Sequence, residues 1–412
     1  MRKLVLLIIL VMVLILTWWM LAANYSHGDI TGDGKDDVLV GNPQVNWVKA
    51  YALEGESLKC ILEKTSDSLE FGISVAGIGD VNNDNKPDFA VGEARGGPFT
   101  NDFGQVSIFS SNGQLIRVIE GQEPGGRFGL CISCIGKVNE DSIYDFAVVE
   151  VAGAPGSTGK VYIFSGADGS TLKTLTGAGY GFSFSGVGDL NSNGLSDILI
   201  NAGDYIDIRD GNTGELIDNL AIKDVQSISG IGDVNGDGVA DFIAGLNKAN
   251  FGQVLVYSGA DRHVLKVFTQ SAPSYGCTVS GIGDANRDGV PDFAVGSAGA
   301  QSSSGKIFVY SGASFEVLFE HDSFQEDFGR SLAGAGDVNG DGYKDLIAAA
   351  QNNNGSSKKS SAFIFSGKDG TLMSEIVTPA HNVLLKVSGV INHIDLTLPK
   401  KEGLRKFSPF LK

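Results

Sequence analysis

The sequence predicts an all-β fold, a seven-bladed β-propeller of four-stranded antiparallel blades preceded by one N-terminal hydrophobic helix. Three observations carry that prediction. A short acidic loop recurs seven times, its copies starting 44 to 57 residues apart. Apolar runs with a period of two flank the copies, with Gly, Asp and Asn at the turns, which is the pattern of strands joined by hairpins. Beyond residue 23, no segment carries a long helical period.

The loop sets the register of the repeat. Its copies are 29-DITGDGKDD-37, 80-DVNNDNKPD-88, 137-KVNEDSIYD-145, 189-DLNSNGLSD-197, 233-DVNGDGVAD-241, 284-DANRDGVPD-292 and 337-DVNGDGYKD-345. Before most copies stands an apolar strand ending in small residues, such as 71-FGISVAGIG-79, 128-FGLCISCIG-136, 180-YGFSFSGVG-188, 275-YGCTVSGIG-283 and 328-FGRSLAGAG-336. After the loop comes a short apolar run, such as 88-DFAVG-92, and then a hairpin such as 159-GKVYIFSGADGSTLKTL-175. Each unit thus offers four strands in roughly 50 residues, the size of a propeller blade. Radial packing of such blades buries the faces between them and leaves only short edges. A closed ring also needs a seam. The first loop has no F-G-x-S strand before it, while 386-KVSGVIN-392 matches 227-SISGIGD-233 in its small and apolar positions. The tail strand is therefore expected to complete the first blade.

The ends of the chain read differently from the repeats. Arg2 and Lys3 precede an apolar run from Leu4 through Trp18 and Trp19 to Ala23. A basic end followed by such a run is an export signal. Residues 1–23 are read as a signal peptide or a signal anchor. The run approaches the roughly 20 residues that span a bilayer, and Ala22-Ala23 loosely resembles a cleavage site, so both readings stand. Residues 24–392 form the propeller and 393–412 a basic tail, which reads as a contact for an anionic surface or as a disordered end. The chain is expected to be extracellular or at the cell surface, with residues 4–23 as a membrane tether if they are retained.

Composition narrows the partners. The formal charge is −17, which argues against nucleic acid, because phosphate binding needs a basic face. The 57 glycines against 10 prolines suit many tight turns. Cys131 and Cys134 fall three apart on a predicted strand, where side chains point to opposite faces, so a packing role is expected for them. A Cys60–Cys277 bridge stays open.

The loops carry the chemistry. Calcium takes six to eight oxygen ligands, and side chains at alternating loop positions can turn inward together. Positions one, three, five and nine of the candidate loops are Asp29, Thr31, Asp33 and Asp37; Asp80, Asn82, Asp84 and Asp88; Asp189, Asn191, Asn193 and Asp197; Asp233, Asn235, Asp237 and Asp241; Asp284, Asn286, Asp288 and Asp292; and Asp337, Asn339, Asp341 and Asp345. In the loop at 233, the carbonyl of Val239 adds a backbone oxygen and Gly238 permits the sharp turn. An EF-hand would place a bidentate Glu at position twelve, but Ala244 stands there and Asp241 closes the loop earlier. The fourth loop, with two carboxylates, is expected to bind more weakly. The third begins with Lys137, whose ammonium is expected near Asp141 and Asp145, leaving that loop empty. Five to six structural Ca²⁺ ions are expected, and six would bring the formal charge from −17 to about −5.

Taken together, F-G-x-S, D-x-N-x-D-G-x-x-D and G-x-V-Y-V-F resemble the FG-GAP repeat, the blade of integrin α-subunit propellers. The resemblance covers about residues 29–392 and implies the same calcium assignment, together with adhesion or ligand binding. The expected partner is an extracellular protein or glycan. The five histidines, His27, His263, His321, His381 and His393, form no H-E-x-x-H arrangement, and no G-x-S-x-G elbow or P-loop is present. No catalytic role is therefore expected. The alternative is a calcium-assisted polysaccharide lyase or hydrolase on the same fold. The candidate recognition segments are 93-EARGGPFTND-102 and 351-QNNNGSSKKSS-361.

Overall fold

Period-two alternation within each unit resolves into four hydrogen-bonded antiparallel strands. The computed structural model describes residues 28–94, 102–151, 158–180, 183–248, 251–271, 274–298, 305–323, 326–351, 360–378 and 386–389. In the second blade the strands are Phe71–Gly79, Asp88–Glu93, Gln105–Phe109 and Leu115–Glu120, neighbours in that order. Seven four-stranded sheets of this kind make up the ring. The first strand of each blade lies beside the first strand of the next. Burial falls from the inner strands outward. Asp88–Glu93 is buried throughout, whereas Leu115–Glu120 alternates between exposed and half-buried residues.

No blade encloses a core of its own. The apolar residues gather in seven clusters, each shared by two successive blades. One packs Ile78, Val106 and Ile108 of the second blade against Phe128, Phe146 and Phe164 of the third. Another joins Val38, Val40 and Trp47 of the first blade to Ile347 and Ile364 of the seventh, so the last junction is packed like the others. Apolar burial stabilises by about 25 cal/mol per Å², and here it depends on neighbouring blades being present.

The F-G step explains one glycine signature. Gly72, Gly129, Gly276 and Gly329 have φ between 81° and 90°, a region that side chains strain. Each also abuts a glycine of the preceding blade. A Cβ on Gly92 would lie 2.0 Å from the Gly129 carbonyl oxygen, and one on Gly245 would lie 2.0 Å from that of Gly276. Blades touch backbone to backbone at these points.

The seam forms as expected. Lys386–Gly389 pairs antiparallel with Val38–Asn42, in the register Val38↔Gly389, Leu39↔Ser388, Val40↔Val387 and Gly41↔Lys386. The first blade thus takes its inner strand from the far end of the chain, which accounts for the missing strand before Asp29. Asp36 adds a second tie across the seam. Its amide donates to the Asp337 carbonyl at 3.0 Å, and its carboxylate accepts from the Asp337 amide at 2.7 Å.

The cysteine alternative is corrected. All four cysteines are free, with Cys60 exposed on an outer strand of the first blade and Cys277 on the inner strand of the sixth. Cys134 is buried, and Cys131 packs against the interface between the third and fourth blades. The N-terminal helix of residues 1–23, the basic tail of 393–412 and most of both candidate recognition segments lie outside the described residues. Among the described residues, no helix is long and apolar enough to cross a membrane.

Truncation after Thr378 removes the closing strand and exposes the backbone edge of Val38–Asn42, whose residues are all buried. The melting temperature of the truncated chain should fall by several degrees in differential scanning calorimetry. An unchanged value would mean that the tail strand does not hold the ring shut.

Candidate metal loops

In the second to seventh blades the loop joins the first strand to the second, in the first blade it leads directly into Val38–Asn42, and position nine is where each loop meets the sheet. In the second to seventh blades this aspartate is the first residue of the second strand. It is 0% exposed in Asp88, Asp145, Asp197, Asp241, Asp292 and Asp345, and 1% in Asp37. Asp241 shows what holds it there. Its Oδ2 accepts from the Val234 amide at 2.8 Å, and its Oδ1 accepts from the Gly259 amide at 2.9 Å. The first bond reaches the loop and the second reaches the hairpin between the third and fourth strands. The same pair of bonds recurs at Asp292, from Ala285 and Gly312, and at Asp345, from Val338 and Gly367. Asp37 keeps the loop side of this pattern, accepting from the amides of Ile30 and, at 3.0 Å, Thr31.

Burying a carboxylate this far disfavours its charged form. Desolvation pushes Asp37, Asp88, Asp197, Asp292 and Asp345 up to about 7, against the lowering effect of the amides they accept from. Asp145 and Asp241 rise to about 6 for the same reason. Nearby carboxylates add to the rise, Asp233 and Asp237 in the case of Asp241.

Position one folds the loop around itself. The Asp233 carboxylate accepts from the amides of positions five and six, Asp237 at 3.2 Å and Gly238 at 2.8 Å. Asp29, Asp80, Asp189, Asp284 and Asp337 bridge the same two amides in their loops. The turn requires a left-handed residue at position six, met by Gly34, Gly194, Gly238, Gly289 and Gly342 and by Asn85 at φ 64°. Positions three and five close shorter turns. Asn235 accepts from the Asp237 amide and Asp237 from the Val239 amide, both at 2.8 Å.

The third loop departs from this form. Lys137 has no oxygen with which to gather the amides, and neither Glu140 nor Ser142 takes the left-handed conformation that their counterparts adopt. Its ammonium is also not where the sequence placed it. Lys137 Nζ lies 5.4 Å from the centre of the Tyr144 ring, and among the described residues it forms no ion pair with Asp141 or Asp145. The oxygens of Asp145 are already taken by the amides of Val138 and Gly166.

One residue escaped the sequence reading. In the fourth unit, the side-chain amides of Asn191 and Asn193 both donate to Asp210 Oδ2 at 2.7 Å. The signal lay in the hairpin, which reads R-D-G at 209–211 where four other units read F-S-G or Y-S-G and the second reads F-S-S. His263 is an exposed turn residue against Asp261, but His321 sits on an outer strand and stacks on Phe365 at 4.5 Å.

The donor chemistry fits a hard cation. Carboxylate and amide oxygens dominate the six loops, and the carboxylates of positions one and nine, joined by position five in five of the six, repel one another. Among the described residues, no three His, Cys, Asp or Glu side chains already converge as a cage. The position-one carboxylates are instead turned onto loop amides.

Comparison with known proteins fits this geometry. Residues 26–52, 71–109 and 328–364 match the FG-GAP repeat. Integrin alpha-8 of Gallus gallus is 29% identical over 201 residues, 42% of this chain and 19% of that protein. Integrin alpha-5 of Xenopus laevis is 28% identical over 244 residues, 54% and 20% of the two chains. Integrin alpha-IIb of Mus musculus is 33% identical over 152 residues, 32% and 15%. The chain therefore spans about a fifth of the length of these curated relatives. Among solved structures, BBS1N in complex with ARL6DN, soaked with lead, gives a TM-score of 0.53 at 12% identity, covering 86% of this chain and 91% of that one. Saccharomyces cerevisiae Sqt1 gives 0.50 at 12% identity, covering 84% and 83%. At such identities the likeness concerns the fold alone.

In chelator, the position-nine carboxyls bind protons more tightly in the folded chain than in the unfolded one, where the ordinary pKa is about 3.9. Their contribution to stability is complete below that value and is lost as pH rises through 6 to 7. The ion-free chain should therefore melt higher near about pH 5.5 than near about pH 8. A higher melting temperature at the alkaline end would contradict the assignment.

Proposed function

We propose that this chain, which carries FG-GAP repeats, is an exported or membrane-tethered, calcium-stabilised propeller that binds an extracellular protein or glycan. The observation that carries the proposal is the gathering of two further carboxylates about one buried position-nine aspartate, as with Asp233 and Asp237 about Asp241. Such a group repels itself unless a cation neutralises it. The ligands would be the side chains at positions one, three, five and nine of the loops beginning at Asp29, Asp80, Asp189, Asp233, Asp284 and Asp337, with the position-seven carbonyl. The loop at Lys137 stays without an ion, since it has neither the position-one carboxylate nor the left-handed turn. Calcium, when bound, supplies counter-charge and fixes the loop rim of the ring.

Support for ligand binding comes from the integrin alpha relatives, and support for export from the basic and apolar residues 2–23. The rim itself suits recognition. Its loops project from buried strands, so a bound surface would meet a rigid frame.

Each occupied site should add about 2.7 kcal/mol when calcium stands 100-fold above its Kd. Removing calcium with EDTA should therefore lower the melting temperature by several degrees, and an unmoved melting temperature would refute structural metal binding. A panel of glycans and cell-surface proteins, probed with and without calcium, tests the rest. Calcium-dependent capture with intact glycan supports a binding module, whereas glycan breakdown would replace it with the enzyme reading.

A further inference from the structure

The fourth loop alone has Asn at position five, Asn193, where the other six have Asp. The same unit alone has Asp at the end of its third strand. Asp210 stands where the others have Ser110, Ser165, Ser258, Ser311 and Ser366, or Ala52 in the first blade. Strand register fixes this equivalence, since Arg209 pairs with Ile198 as Tyr257 pairs with Phe242 and Tyr310 with Phe293. The two positions are also neighbours in space. In the fifth unit, Ser258 Oγ lies 3.4 Å from Oδ2 of Asp237, the position-five carboxylate. In the fourth, Asn193 Nδ2 lies 2.7 Å from Asp210 Oδ2. The carboxylate missing from one side of this contact is present on the other.

We infer that Asp210 supplies the fourth loop with the carboxylate that the other loops carry at position five, so that Asp189, Asp197 and Asp210 together take a divalent cation of the calcium type. The inference rests on the calcium reading above. Asp210 is 8% exposed, and its Oδ1 accepts from the Thr213 amide at 2.6 Å, which aims Oδ2 at the loop. Asn191 and Asn193 hold that oxygen from the loop side. The loop then has three carboxylates, as the fifth has in Asp233, Asp237 and Asp241, and no lysine like that of the third. The guanidinium of Arg262 stands 3.7 Å from Asp218 on the outer strand, and its charge also reaches Asp197 of the loop without forming an ion pair there. Charge count in a loop of this kind sets calcium affinity. The fourth loop is therefore not the weak copy that its own nine residues suggest.

Amide hydrogen exchange of the full chain, titrated with Ca²⁺ alone, reads each loop separately. In the wild type, calcium should slow exchange across residues 189–197 as it does across 233–241. Asp210→Ser, which installs the serine of the other units, should weaken that response at 189–197 by about tenfold or more in calcium concentration. The response at 233–241 should persist and serves as the control for folding. The double variant Asn193→Asp/Asp210→Ser returns the unit to the common arrangement and should regain the response. Unchanged protection in Asp210→Ser, or no rescue in the double variant, overturns the inference. So does a fourth loop that ignores calcium while the fifth responds. If no loop responds, the calcium reading falls with it.

Discussion

A carboxylate buried at the junction of a loop and a sheet is the constraint on which the rest of the molecule is arranged. In Asp241 it ties the loop amide of Val234 to the hairpin amide of Gly259, so one side chain fixes the start of the second strand against two turns. Removing such a group from water is costly, and the amide hydrogen bonds offset only part of that cost, since the carboxyl still titrates well above its ordinary range. Further acids nearby raise the cost again. An arrangement repeated blade after blade, with the acids kept in place, is intelligible when a cation completes it.

The blades depend on one another for a different reason. Each presents two apolar faces and can bury neither alone, so every core cluster is shared between neighbours. The first and last blades must therefore meet, and they do so through Val38, Val40 and Trp47 against Ile347 and Ile364. Drawing the inner strand of the first blade from the tail makes closure a contact between the two ends of the chain. Glycines at the F-G step let the blades approach to backbone contact, which a side chain at Gly92 or Gly245 would block.

Much of this was legible in the sequence because it is periodic. The runs 71–79 and 275–283 are strands in full, and the match between the tail and 227–233 located the closing strand. Position nine was visible as an invariant Asp among the seven copies, though its hairpin partner was not. What escaped depends on neighbours distant in sequence. Asp210 lies 17 residues beyond Asn193 and reaches it only because the third strand folds back beside the loop. Lys137 was placed by charge against Asp141 and Asp145, but the oxygens of Asp145 were already taken by amides and the ammonium settled over Tyr144.

The most direct test of the account is a crystal structure of the chain grown in calcium, read by anomalous scattering. The account predicts density for Ca²⁺ within the loops at 29–37, 80–88, 189–197, 233–241, 284–292 and 337–345, and none at 137–145. Loops without density, their position-one carboxylates still resting on the amides of positions five and six, would contradict it.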